Sequence, residues 1–571
     1  MSLYPASPSL ATRASGAADD LLPLAAGSMM IAVRAGDLVS PAGRPAGAGD
    51  RSALAVAGTA RIRSGELVAF CKVVVVAPAV VRRDGWIQAD GKPCDYARLG
   101  VLEERLDEIA GPDAIGRLAA GVTLKGKVKG TARRSMTTAF TLRAVLLMTL
   151  MPEAGYREVM TALAGDLAAV PWGRPSRVPS ETVLSTWREA AGPEPAEILQ
   201  DMVLAAACAE HKDHDYRAFR VGDLRLGGAG GTVTRMPDTP ANRREFGSAG
   251  TADDSSPYPQ LRGLPMTDAS TRGMLGIVTG PAGGDKAEAE QKLLDKAMRE
   301  FPRLFTPDRL WILDRNFPGA ARIREMTART HVLIRIKSDI PLRRTGDFLP
   351  DGSYLAEISG GGVTVTVRVI EYHVTVDGQD VPEMFCLITD LEDHRAYPAA
   401  VLAAAYKWRW DGSETMLREG KSAIRGAGPS TGPMFRSCSP RLIRQEHAAW
   451  ITATELVRGT ARLAARHAAP AAKGRRAGQP VHPREISFTA ARRAAIAAIR
   501  HGAATASLPG QAIAAGCRAA IAAISRCRVS VDRNRHRDHK TKARQGFPNA
   551  PCRMPTRTAE ARISVCTPRG T

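Results

Sequence analysis

The segment GSYLAEISGGGVTVTVRVIEYHVTV (352–376) constrains the fold more than any other. Strand-like apolar alternation lies on both sides of a run of three glycines, the pattern of strands turning back on one another as hairpins. Shorter strand-like runs surround it: DLRLGGAGGTVTRM (223–236), LWILDR (310–315), HVLIRIKSD (331–339) and CLITDL (386–391). A helix then starts in YPAAVLAAAYKWRW (397–410). Strands followed by a helix predict an α/β core with a β-rich insertion at about 335–385.

Helical patterns flank this region. On its N-terminal side, ARLGVLEERLDEIAG, MTTAFTLRAVLLMTLM, GYREVMTALAGDL and SETVLSTWREA read as amphipathic helices broken by Gly and Pro. On its C-terminal side the readings are PRLIRQEHAAWITATELVRGTARLAARHA, SFTAARRAAIAAIR and QAIAAGCRAAIAAISR. Residues 1–90 are rich in Ala, Gly and Pro; VAFCKVVVVAPAVV offers one strand without a visible partner. This stretch reads as a poorly structured extension, or as translated sequence upstream of the true start. The expected division is an extension at 1–90, a helical domain at 91–195, the α/β core at 196–458 and a helical region with a basic tail at 459–571.

A formal net charge of +21 favours a polyanionic partner, nucleic acid or an acidic membrane surface; an Arg-rich, GC-biased genome produces the same excess. The apolar runs AVLLMTLM and KVVVVAPAVV fall far short of the roughly 20 residues of a membrane span. The first thirty residues lack a basic leader followed by an apolar core, so secretion is not expected. Nine cysteines without a C-x-x-C pair argue against zinc knuckles and a disulfide framework. A reduced, cytoplasmic, nucleoid-associated protein is the expectation.

Chemistry concentrates in AYKWRWDGSETMLREGKSAI (405–424). Glu414 and Lys421 are seven residues apart, so two helical turns return both to nearly one face. A carboxylate beside cations can hold a metal ion while the cations grip phosphate. Asp314 closes the run LWILDR, and an acid at the end of a buried strand projects into the crevice where α/β sheets bind ligands. Two such acids can share divalent ions about 4 Å apart for phosphodiester chemistry, and oxygen-only ligands favour Mg²⁺ or Mn²⁺. Each residue also has a plain structural use: Asp314 as a strand-end cap, Tyr406 as core with a surface hydroxyl, Lys421 on a solvated face.

These residues resemble the Tyr-Arg-Glu-Lys signature of insertion-sequence DDE transposases, the insertion-sequence-4 group. The spacing of two residues between Tyr406 and Arg409 and six between Glu414 and Lys421 matches; four between Arg409 and Glu414 is one more than the signature has. The similarity runs on through DTPANRREFGS (238–248), PYPQLR (257–262), LDRNFPG (313–319) and GAGPSTGPMFRS (426–437), with GYREV (155–159) in the N-terminal helices. The resemblance implies a ribonuclease-H-like catalytic core with a β insertion, and metal-dependent hydrolysis and strand transfer at element ends. Its partner would be double-stranded DNA, element ends and target, with room for a homodimer in the complex. Asp314 then matches the second acid and Glu414 the third, while Tyr406, Arg409 and Lys421 match DNA-backbone contacts.

The first acid is missing. The family's Leu-x-x-x-Asp-Gly-Thr pattern falls on LRLGGAGGT with Gly230 where the aspartate belongs, and Gly227 and Gly228 weaken the strand. Asp223 and Asp238 lie seven and eight residues away, about 25 Å along an extended chain. The resemblance therefore implies crippled catalysis. The rival readings are a non-catalytic DNA-binding relic that represses transposition and, more remotely, a nucleoid protein relying on charge alone. HKDHD (211–215) and HRDH (536–539) read as solvated charge runs, the tail RNRHRDHKTKARQG (533–546) as one that neutralises phosphates without reading sequence or merely solubilises, and Trp408 and Trp410 as core more than as base-stacking platforms.

Overall fold

The computed structural model describes residues 99–125, 136–164, 178–212, 219–248, 257–283, 287–376, 383–409, 416, 419–420, 434–470, 478–504, 510–529 and 561–566, and four backbone strands at 21–26, 29–34, 57–64 and 67–74. Those four, β1 (Leu21–Ala26), β2 (Met29–Arg34), β3 (Ala57–Ser64) and β4 (Leu67–Val74), form an antiparallel sheet in the order β2-β1-β4-β3. The sequence offered one strand here without a partner, and the structure supplies one: Leu67 pairs with Ser64 and Val74 with Ala57. The partner AGTARIRS is too poor in large apolar residues for its pattern to stand out.

A helical body follows: α1 (Val101–Ala110), α2 (Ala114–Ala120), α3 (Thr138–Leu150), α4 (Tyr156–Ala164), α5 (Glu181–Ala191) and α6 (Glu194–Lys212). Helix α3 is buried on every side from Phe140 to Leu150, so it is a central helix and not the amphipathic one expected. Thr137 caps it, accepting from the Phe140 amide at 3.2 Å.

The main sheet comprises β5 (Arg220–Val221), β6 (Leu224–Ala229), β7 (Thr232–Arg235), β8 (Gln260–Asp268), β9 (Met274–Pro281), β10 (Arg309–Leu313), β11 (His331–Arg335), β12 (Arg343–Phe348), β13 (Tyr354–Gly360), β14 (Val363–Val376), β15 (Glu383–Thr389) and β16 (Ala561–Val565). Between its strands lie α7 (Pro240–Phe246), α8 (Glu290–Glu300), α9 (Ala320–Thr327) and α10 (Ala399–Tyr406). Its centre reads β9-β8-β6-β10-β11, with β6 antiparallel to β8 and parallel to β10, and β10 parallel to β11. The antiparallel strands β15, β14, β13 and β12 then extend the sheet outward from β11, and this is the β-rich insertion.

Both faces of the centre are covered, as a parallel sheet requires. Leu293, Met298, Ile323 and Met326 of α8 and α9 pack with Trp311 and Leu313 on one face; Leu402, Ala403 and Tyr406 of α10 pack with Leu310 and Ile312 on the other. The glycines of β6 have a reason in this packing. Gly227 is the register neighbour of Trp311, and a Cβ there would stand 3.0 Å from the indole. The bulk absent from β6 is supplied by β10.

The chain closes with α11 (Pro440–His467), α12 (Phe488–Ala504) and α13 (Gly510–Arg526). Their side chains Leu456, Phe488, Ile499 and Ile524 share one core with Leu102, Phe140 and Leu147 of the N-terminal helices. The boundaries drawn from sequence at 195/196 and 458/459 both cut continuous helices, α6 and α11, because the two ends of the chain build a single helical body. A short strap joins that body to the sheet. Met434 bridges Arg235 in parallel, and the next guanidinium, Arg436, donates to the carbonyls of Met148, Met151, Pro152 and Ala154 at 2.6–3.0 Å, satisfying the C-terminal end of α3. Among the described residues no helix is long and apolar enough to cross a membrane.

Candidate functional site

Asp314 follows the last residue of β10 directly, half-buried, its carboxylate accepting from the Asn316 amide at 2.7 Å. The parallel register of β10 on β6 runs from Arg309–Arg225 to Ile312–Gly228. The pairing stops there; Gly230 and Asp314 each directly follow the last residue of these two parallel neighbours. β6 and β7 pair with β8 at the same offset on either side of a gap, and that offset sets Gly230 opposite Pro265. Pro265 has no amide to donate, which explains why the ladder lapses between β6 and β7. Gly230 is buried and is not among the glycines with left-handed φ.

The two other acids near this sequence do not converge on the pair. Asp223 is exposed in the turn ahead of β6, at the far end of the strand from Gly230. Asp238 is held in a two-pronged pair by Arg243, at 2.8 and 2.6 Å, which lowers its carboxyl below the ordinary range.

Helix α10 brings two further residues over the strand end. The Tyr406 hydroxyl donates to the Leu313 carbonyl at 3.3 Å, and burial pushes its phenol up to about 12. Arg409, buried at 6% exposure, lies beside that phenol and opposes the shift. Together with Asp314 they line a cleft of about 450 Å³. Trp408 packs against Phe219 at 4.5 Å between ring centroids, with the Arg484 guanidinium over both rings, so it belongs to the core.

Four more residues complete the lining: Arg315, Asn316, Arg335 and Glu383. Arg335, at the end of β11, lies 4.0 Å over the Phe385 ring and donates to Glu383 at 3.1 Å. Sequence reasoning missed these four. Arg315 and Asn316 adjoin Asp314 and were within reach of a strand-end argument. Glu383 comes from a strand whose pairing no local pattern reveals. Three guanidiniums against two carboxylates give the cleft the charge balance of a phosphate-binding surface.

Glu414, Lys421 and Trp410 lie outside the described residues, as do 126–135, 426–433 and the tail 533–546. The described carboxylates of the cleft are Asp314 and Glu383, and among the described residues no three His, Cys, Asp or Glu side chains gather as metal ligands.

No protein-family model matches the sequence, and no curated protein matches it. Among solved structures the chain is similar to a piggyBac transposase in a cryo-EM synaptic complex with hairpin DNA. The identity is 11% and the TM-score 0.37, over 75% of this chain and 85% of that one. A likeness so distant carries no assignment.

Proposed function

We propose that this chain is a DDE-class transposase of the insertion-sequence-4 kind. It grips the DNA ends of its element, and its strand cleavage is crippled by the loss of one carboxylate. The reading is supported above all by the parallel pairing of β6 with β10, the strands that Gly230 and Asp314 directly follow, with Gly230 at the position where the motif alignment puts the missing acid. A ribonuclease-H-like core accounts for the mixed five-stranded centre and for the helix that carries Tyr406 and Arg409 over the Asp314 strand end.

Arg409, Arg335 and Arg315 contact the backbone phosphates of a DNA strand end, the planar guanidiniums suiting paired contacts to phosphate oxygens. Tyr406 holds its helix against Leu313 and so keeps Arg409 over the scissile position. Mg²⁺ or Mn²⁺, where a complete acid set holds it, supplies the charge stabilisation of phosphodiester chemistry. Here Asp314 is left without its neighbour, so no cleavage step is derived.

The decisive experiment restores Gly230→Asp in the full chain and measures Mn²⁺-dependent nicking of a duplex carrying the element's terminal repeat. The restored chain is expected to nick and the unaltered one not to. Equal cutting by both would refute the proposed impairment, and no preference of either for the terminal repeat would refute the transposase reading. A non-catalytic repressor that occupies element ends is the second reading, favoured by arginines that remain in a cleft short of acids. It predicts footprints at the ends and no nicking even after restoration.

A further inference from the structure

Helix α10 begins with an unmet need. Its N-cap is Pro398, which offers no side chain to the first helical amides. The missing acceptor comes from elsewhere in the chain. Asp351, in the turn between β12 and β13, accepts from the Ala399 amide at 2.8 Å. Its other oxygen accepts from the Ser353 amide at 3.2 Å and the Ser353 hydroxyl at 2.6 Å. The turn is shaped by Gly352, whose φ of 82° is open to glycine and costly for other residues.

Arg368 of β14 ties this turn to the segment that leads into α10. Its guanidinium is fully buried, pairs with Asp351 and donates to the Ser353 hydroxyl at 2.8 Å. It also donates to the carbonyl of Leu391 at 3.0 Å and that of Tyr397 at 2.7 Å, the latter one residue before the cap. A carboxylate at a helix N-terminus is favoured by the helix dipole as well as by the hydrogen bond. One cation and one anion of the β insertion thus fix both the approach to α10 and its first turn.

We propose that Asp351 and Arg368 are positioning residues of the DNA-gripping site: the insertion sets the start of α10, and thereby the reach of Tyr406 and Arg409 over Asp314. The proposal deepens the DNA-end reading and rests on it for its ligand. Neither residue lines the cleft. They act through the helix.

The test is a double-mutant cycle on the full chain, with a terminal-repeat duplex and a random duplex of equal length as probes. Asp351→Ala is expected to weaken terminal-repeat binding about fivefold to tenfold. In an Arg409→Ala background the same change is expected to cost less than about twofold, because the group it positions is gone. Equal losses in both backgrounds overturn the proposal. Asp351→Asn keeps an acceptor for the Ala399 amide without the charge and recovers part of the loss; an Asn variant no better than Ala also overturns it. Hydrogen exchange supplies a readout without DNA. Asp351→Ala is expected to speed exchange in the first turn of α10 and leave α8 unchanged, and unchanged exchange in α10 overturns the proposal. If the unaltered chain shows no preference for the terminal repeat, the DNA-end reading fails and the exchange result alone decides this one.

Discussion

The Tyr406 hydroxyl donates to the carbonyl of Leu313, one residue ahead of Asp314, at 3.3 Å. This bond fastens the end of α10 to the end of β10. Replacing Tyr406 by Phe removes it, at a cost of about 1 kcal/mol. Urea denaturation measures this as a lower midpoint at unchanged slope. An unchanged midpoint would mean that the bond contributes nothing net.

Arg335 and Glu383 test the proposed phosphate surface. Their pair is exposed on the Glu383 side, so it adds little to stability. Arg335→Ala is expected to reduce the slope of log affinity against log salt by about 1. Glu383→Gln frees the guanidinium and is expected to tighten DNA binding by up to about fivefold. Titrations at several salt concentrations separate the two effects, and an unaltered slope in Arg335→Ala would remove that residue from the interface.

Gly227 tests the account of the glycine-rich strand. Gly227→Ala brings a Cβ to 3.0 Å from the Trp311 ring and is expected to destabilise by about 1–3 kcal/mol. Adding Trp311→Phe, which gives the Cβ room, is expected to return part of the loss. Strict additivity of the two changes would contradict the contact.

His447 gives the acid response a named contributor. Burial beside Phe435 and Trp450 lowers its imidazole from 6.5 to about 4. A depressed histidine means that the unfolded chain takes up a proton that the folded chain refuses. Its cost is absent above pH 6.5 and grows as pH falls towards 4, reaching about 3 kcal/mol. His447→Leu is expected to flatten stability against pH across that window. A profile identical to the unaltered chain's would place the acid sensitivity elsewhere.

The central strands were legible because LWIL and HVLIR are buried apolar runs, as strands covered on both faces must be. That Asp314 follows a strand was legible for the same reason. Pairing was not. That β3 completes a sheet, that the two chain ends share one helical core, and that Glu383 reaches the cleft all depend on contacts between residues far apart in sequence. Gly227 misled in an instructive way: read alone it weakens a strand, but beside Trp311 it is the space the indole fills. The extra residue between Arg409 and Glu414, and Glu414 and Lys421 themselves, lie outside the described residues.

Pro265 opposite Gly230 has an evolutionary consequence. That rung of the ladder is one amide short whatever residue faces it. On the proposed reading, a single codon after β6 separates a cutting chain from a silent one, while the parallel pairing of β6 with β10 is common to both.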